Sequence, residues 1–402
     1  MSRVCLAEPP ALRLGAGIDF SAPDSPLAAY YLRASDVVAA SLLSFVFVLA
    51  CVAPLPVGDV RSQLELGLET LKNGPWAQGP AVQLSWLFHA GLALLFRLGS
   101  WPHGAEGGVE CLRGAYALLV VARLTLLWLA FRRVSGSAGL GLAGLVLTLG
   151  LSLGRLPGLH PLLFGEACFA AILVLLSHQE LTRRRVQLLC ATFVLWANVH
   201  ESFVLGFVLL LIGLVARVIS LGWAVGGDPF LRKLTGLILM SLIAILALNP
   251  RGPFLVSTLW GLAHDPAFVA LEAWQPLRFH YGPGGQWTFL LLWCLVVLVQ
   301  HLARTFYPPV QLLCLLVFGF WPLWHQQILL EWAMVAPWAA LAVAPAAAER
   351  FRPAWLSSSV PSFRKTLLAG LFAVIAATWF APVHWLMGGR PASLDRSLSQ
   401  SR

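Results

Sequence analysis

Apolar runs of about 20 residues, each long enough to cross a ~30 Å hydrocarbon core as a helix, recur along this chain from Val37 to the region of Leu386. A water-soluble fold has no use for so many. Across 402 residues the chain is 58% hydrophobic and only 11% charged, whereas soluble domains carry roughly a quarter of their residues as Asp, Glu, Lys and Arg. So few charges cannot cover a soluble surface of this size, and the pattern predicts one polytopic, all-α membrane domain.

The formal charge of +9 does not read as a nucleic-acid footprint, because the basic residues fall in short clusters between apolar runs. These are Arg132 and Arg133, Arg183 to Arg185, Arg232 and Lys233, Arg350 and Arg352, and Arg364 and Lys365. Such clusters mark cytoplasmic loops. Counting sides from them predicts spans at 37–55, 112–131, 137–153, 159–176, 186–197, 202–221, 234–248, 287–303, 310–323, 328–346 and 367–386. That is about eleven crossings, with the N-terminus inside and the C-terminus outside. The organisation is a tail over 1–36, a transmembrane domain over 37–388 with its first external loop at 56–111, and a C-terminal tail over 389–402. Ala81 to Leu98 is too close to the next span to cross as well, since both crossing would put Arg132 and Arg133 outside. We expect it to be an interfacial helix in that loop. A short helix is expected over 254–263.

Under this topology the unusual polar residues lie toward one side, among them Asp59, His89, Arg155, His160, Asn198, His200, Glu201, Asn249, Arg251, Glu272 and His325. Glu166, Glu201 and Glu331 sit among apolar neighbours, and a charge at membrane depth costs on the order of 2.5 to 3.5 kcal/mol on insertion scales. Each is expected to face a partner or a cavity. Asp59 follows the first span and precedes an amphipathic stretch, 60–71. It reads equally as a general base at an outer mouth or as the cap of that helix. His200 and Glu201 with Asn198 read first as a hydrogen-bonding network. A divalent metal is a weaker alternative, because the spacing is not that of a zinc protease helix. Asn249-Pro250 with Gly252 is a good helix stop in its own right, and most tryptophans suit an interfacial belt. The seven cysteines show no metal or redox spacing. No cofactor is required by any of these motifs.

Several phrases, in order along the chain, resemble the GT-C class of membrane glycosyltransferases, and more closely the uncharacterised bacterial polytopic proteins near that class. They are Gly58-Asp59, the Trp76 and Trp86 region, Arg123 in a span ending at Arg132 and Arg133, and Arg155-Leu156-Pro157. After these come Trp196-Ala197-Asn198-Val199-His200 with Gly206, Asn249-Pro250-Arg251-Gly252, and Glu272-Ala273-Trp274-Gln275. The resemblance covers roughly Val37 to Ala346. It implies an inverting transferase that moves a sugar from a polyprenyl-phosphate carrier to an acceptor on the outer face of a bacterial cytoplasmic membrane. By carry-over Asp59 is the base. Arg155 or Arg251 holds the carrier phosphate, and His160, Asn198, His200, Glu201 and Glu272 line the substrate site. The chain departs from the class in having Val60 beside Asp59 where many members have a second acid, Glu201 where Gly is frequent, and His325-Gln326-Gln327 where an Arg is common. Two other readings stand beside this one: a lipid or polar-solute transporter or flippase, and a non-catalytic assembly protein of the same fold. The sequence leaves the oligomeric state open.

Overall fold

The computed structural model describes residues 32–52, 57–75, 84–152, 159–178, 180–222, 227–271, 274–277, 285–351, 362–380 and 383. In chain order the helices are α1 (Ala34–Val52), α2 (Val57–Asn73), α3 (Trp86–Ser135), α4 (Ala138–Ser152), α5 (Pro161–Leu176), α6 (Arg183–Val199) and α7 (Phe203–Leu221). There follow α8 (Pro229–Leu248), α9 (Leu255–His264), α10 (Pro266–Val269), α11 (Gly285–Ala303), α12 (Pro309–Phe320), α13 (Leu329–Phe351) and α14 (Phe363–Ala377). Apart from an isolated bridge between Leu32 and Ser362, the described residues pair no strands. Ala34–Val52, His103–Ser135, Phe203–Leu221, Pro229–Leu248 and Gln326–Glu349 are long and apolar enough to cross a membrane, and four shorter apolar helices accompany them. This is an all-α protein whose surface suits a lipid bilayer.

Local sequence explains where the helices start and stop. Asp228 caps α8, its carboxylate accepting from Leu231 N at 2.8 Å ahead of Pro229. Thr182 caps α6 through Arg185 N, and Ser362 caps α14 through Lys365 N. Gly136, at φ 64°, ends α3 in the left-handed region where only glycine is comfortable.

Helix α3 is not straight. His103 (φ −134°, ψ 15°) and Gly104 (φ 66°, ψ −161°) leave helical geometry and the chain doubles back. The two arms then touch through bare backbone: a Cβ on Gly99 would stand 2.4 Å from the Gly107 carbonyl oxygen, and one on Gly107 2.4 Å from that of Gly99. Gly108 admits the Phe96 ring in the same way. The second arm, His103–Ser135, has 33 residues and therefore measures about 50 Å against a ~30 Å hydrocarbon core. The arm is therefore longer than such a core is thick. The segment expected as an interfacial helix is thus the first arm of a helical hairpin, continuing to His103. Helix α2 lies against this arm, with Gly67 pressed onto the His89 carbonyl.

Among the described residues the basic clusters gather at one end of the bundle; the Arg350 side chain and Arg352 lie outside the described structure. Arg132 donates to Asp36 at 2.8 Å, Lys233 to the Leu181 carbonyl at 2.8 Å, and Arg217 to Asp228 through Nε at 3.0 Å. Ser362 N bonds the Leu32 carbonyl, and Leu32 N bonds Thr366 Oγ1. We call this the arginine end. The core between the ends is closed by large side chains with no exposure, including Trp196, Trp332, Trp338, Phe131, Phe169, Phe193 and Phe318. The six described cysteines are free thiols.

Candidate functional site

At the end opposite the arginines, α3, α6 and α8 are tied by two asparagine side chains. Asn198, in the last turn of α6, returns its amide to Val194 O at 2.8 Å. Its Oδ1 accepts from Trp86 Nε1 at 2.9 Å and from Asn249 Nδ2 at 3.3 Å. Asn249 caps the end of α8, donates also to Ala197 O at 3.0 Å, and accepts from Arg251 N at 2.9 Å. Both side chains are buried, so every polar atom has to find a partner here. The Asn-Pro helix stop read from sequence is therefore also a clamp between helices. Trp86, which the sequence reading assigns first to an interfacial belt, is one of its donors.

His200 follows as the C-cap of α6, in extended geometry (φ −162°, ψ 143°). Its Nδ1 accepts from Ser202 N at 3.1 Å and lies 2.8 Å from Ser202 Oγ, which in turn accepts from Trp196 Nε1 at 3.0 Å. With Nδ1 committed as acceptor, the ring proton belongs on Nε2, which faces Glu201 Oε1 at 3.4 Å. Burial holds the His200 imidazole below its ordinary range, and Glu201 pulls the other way. The ring is 5% exposed and the Glu201 side chain 22%, so the pair runs from the interior toward the surface. Gly165 on α5 makes room for this turn, because a Cβ there would meet Ser202 Oγ at 2.2 Å and Trp196 Nε1 at 3.0 Å.

His160 caps α5 through Leu162 N at 3.3 Å, and its ring centroid stands 6.4 Å from that of His200. His89, on the first arm of α3, lies close enough to feel the charge of His160, and its Nδ1 is buried with no hydrogen-bond partner. Among the described residues Arg251 Nε is likewise buried and lacks an acceptor. Farther along the chain, His325 Nδ1 lies 3.2 Å from the Trp274 carbonyl and Gln326 N donates to Gln275 O at 3.0 Å. This joins the Trp274–Gln275 stretch to the start of α13.

The structure thus brings together His160, Asn198, His200 and Glu201, and ties Arg251 to the group through Asn249. The first turn of α2 contains Asp59, and since that helix begins at Val57 the residue is not its N-cap. The Asp59 side chain lies outside the described structure, as do Arg155 and Glu272. Among the described residues no three His, Cys, Asp or Glu side chains gather as a metal site would require.

A second polar cluster lies between the two ends. Arg123 Nη1 on α3 is 2.8 Å from Glu166 Oε2 on α5, with side chains 1% and 0% exposed. The pair is close but badly aligned, leaving all three guanidinium nitrogens and both Glu166 oxygens without a proper hydrogen bond. Glu331 on α13 is also buried, within electrostatic reach of both, and its Oε2 has no partner. The sequence marked both glutamates as needing partners but gave no sign that Arg123, about five turns from the hairpin, would serve one of them.

No protein-family model and no curated protein matches this chain.

Proposed function

We propose that this protein is a membrane glycosyltransferase whose site lies at the bundle end opposite the arginine clusters, facing the outside of a bacterial cytoplasmic membrane. It takes a sugar from a polyprenyl-phosphate carrier. The single observation that supports the reading is the gathering of His160, His200 and Glu201 beside the Asn198–Asn249 clamp, onto which Arg251 is bonded through its backbone N, with its Nε buried and lacking an acceptor among the described residues. A lipid-linked donor arrives laterally, at the depth where helices end, and a phosphate accepts from a guanidinium in the strong, charge-assisted manner.

In this reading the acceptor hydroxyl oxygen attacks the anomeric carbon while the bond from that carbon to the phosphate oxygen breaks. The proton goes to the Asp59 carboxylate and the electron pair leaves on the polyprenyl phosphate, held by Arg251. A single displacement inverts the anomeric centre. His200, kept neutral with its Nε2–H toward Glu201, orients sugar hydroxyls rather than neutralising charge.

Thermal stabilisation by a panel of polyprenyl-phosphate sugars tests this. Wild type and Asp59→Asn are expected to be stabilised by one sugar lipid, Arg251→Gln far less, and turnover to be lost in both variants. If no sugar lipid stabilises the wild type, the transferase reading fails.

A second reading, a carrier for lipid or polar solute, is favoured by the Arg123, Glu166 and Glu331 cluster, since ionisable groups buried between the two ends of a bundle are a feature of translocation pathways. Solute uptake into proteoliposomes that Glu331→Gln abolishes, with no sugar-lipid binding, would establish that reading instead.

A further inference from the structure

At the arginine end, a cavity of about 380 Å³ opens between the ends of α3, α5 and α7 and the starts of α8 and α12, within the size range of ligand pockets. We propose that it binds a phosphate group, supplied by an anionic phospholipid of the adjoining leaflet. This site is separate from the transferase reading and lies at the other end of the molecule.

Arg133 and His178 line the cavity, and Arg185, which does not, reaches the other nitrogen of the His178 ring, so positive charge meets beside the cavity without enough acceptors. Arg133 Nη1 contacts His178 Nε2, while Arg185 Nη1 lies 3.3 Å from His178 Nδ1. Arginine has donors only, and a neutral imidazole accepts at one nitrogen alone. One of the two guanidiniums must therefore face an N–H. Protonating the ring makes matters worse, and burial together with the two arginines holds His178 below the ordinary imidazole range.

Among the described residues the hydrogen bonds of Arg133 and Arg185 run to His178 and to the Glu180 backbone carbonyl, and none to a carboxylate. Arg217, also on the cavity wall, is neutralised by Asp228. The N-terminus of α12 adds to the field: Pro308 to Gln311 line the cavity, and no side chain caps this helix. An anion in the cavity that accepts from Arg133 leaves the one acceptor nitrogen of His178 to Arg185, which resolves the conflict. The other part of the wall, Val134, Leu176, Phe230 and Val310, is apolar and suits an acyl chain, which favours a lipid over a soluble phosphate.

The test uses the full chain purified in a neutral detergent, with thermal unfolding read against added phosphatidylglycerol, diacylglycerol or glycerol 1-phosphate. Phosphatidylglycerol is expected to raise the midpoint well beyond diacylglycerol. The Arg133→Gln/Arg185→Gln variant is expected to need about tenfold more lipid for the same shift, a loss of roughly one charge-assisted contact. Arg184→Gln, exposed on the same turn, is expected to match the wild type. Equal stabilisation by glycerol 1-phosphate alone would keep the phosphate site and assign it a soluble ligand. The proposal is overturned if phosphatidylglycerol does no more than diacylglycerol for the wild type, or if it stabilises the double variant as well as it does the wild type. The wild-type arms decide the matter even should the double variant fail to fold.

Discussion

Arg123 and Glu166 show what a single residue contributes where water is absent. Because the pair is fully enclosed, removing one charge strands the other, and Glu166→Ala is expected to cost about 3–5 kcal/mol. Replacing both, as Arg123→Met/Glu166→Leu, is expected to recover most of that loss; unfolding of the purified protein in detergent measures both. Asn198→Ala is a different case, since it leaves the Trp86 N–H and one Asn249 donor buried without their acceptor. A loss of about 1–3 kcal/mol should appear in the same assay. Asp228 gives a pH effect. Its bond from Leu231 N and its pairing with Arg217 hold the carboxyl below the usual carboxylate range. A depressed folded pKa means stability that is present above the unfolded value and is lost as pH falls through the folded one. Below about pH 4 the wild type should therefore weaken more steeply than Asp228→Asn, which lacks this stabilisation at neutral pH as well.

At this scale the sequence went some way. Polar residues at span ends led to His160, Asn198, His200, Glu201 and Arg251, because unsolvated polar groups need partners. It did not reveal Ser202 as the hub between His200 and Trp196, since a serine opening a helix looks like a cap. Nor did it reveal Arg123 as the partner of Glu166, which is a fact of packing between distant segments.

Among the elements, α1, α2, α4 to α9 and α11 to α13 lie close to where apolar runs and charge clusters place helices. The hairpin in α3 was not legible. Gly99, Gly104, Gly107 and Gly108 around Pro102 read as a loop, because glycine weakens isolated helices. In the folded chain Gly99 and Gly107 are what allow the two arms to meet backbone to backbone, and Gly108 admits the Phe96 ring. A Cβ there meets main chain that cannot move aside, so Gly99→Ala or Gly107→Ala should cost about 1–3 kcal/mol. Limited proteolysis should then cut between the arms before the bundle unfolds.

For the whole molecule, the gathering of basic clusters at one end and of the histidine and asparagine site at the other yields a test of orientation. A reporter fused after Arg185 and one placed in the 267–285 segment should read opposite sides of the membrane, with the first cytoplasmic. Finding both on one side would remove the basis for a lipid-linked donor at the His200 end. The number of crossings was the least legible quantity, because several apolar helices are shorter than a full span, and length alone does not say how such a helix is seated.

The second arm of α3 carries Gly107 at the hairpin, Arg123 in the middle and Arg133 at the cavity. With no break in its helical geometry after Gly104, it behaves as one shaft. Any roll that repositions Arg133 turns the guanidinium facing Glu166 through the same angle, and carries the hairpin with it.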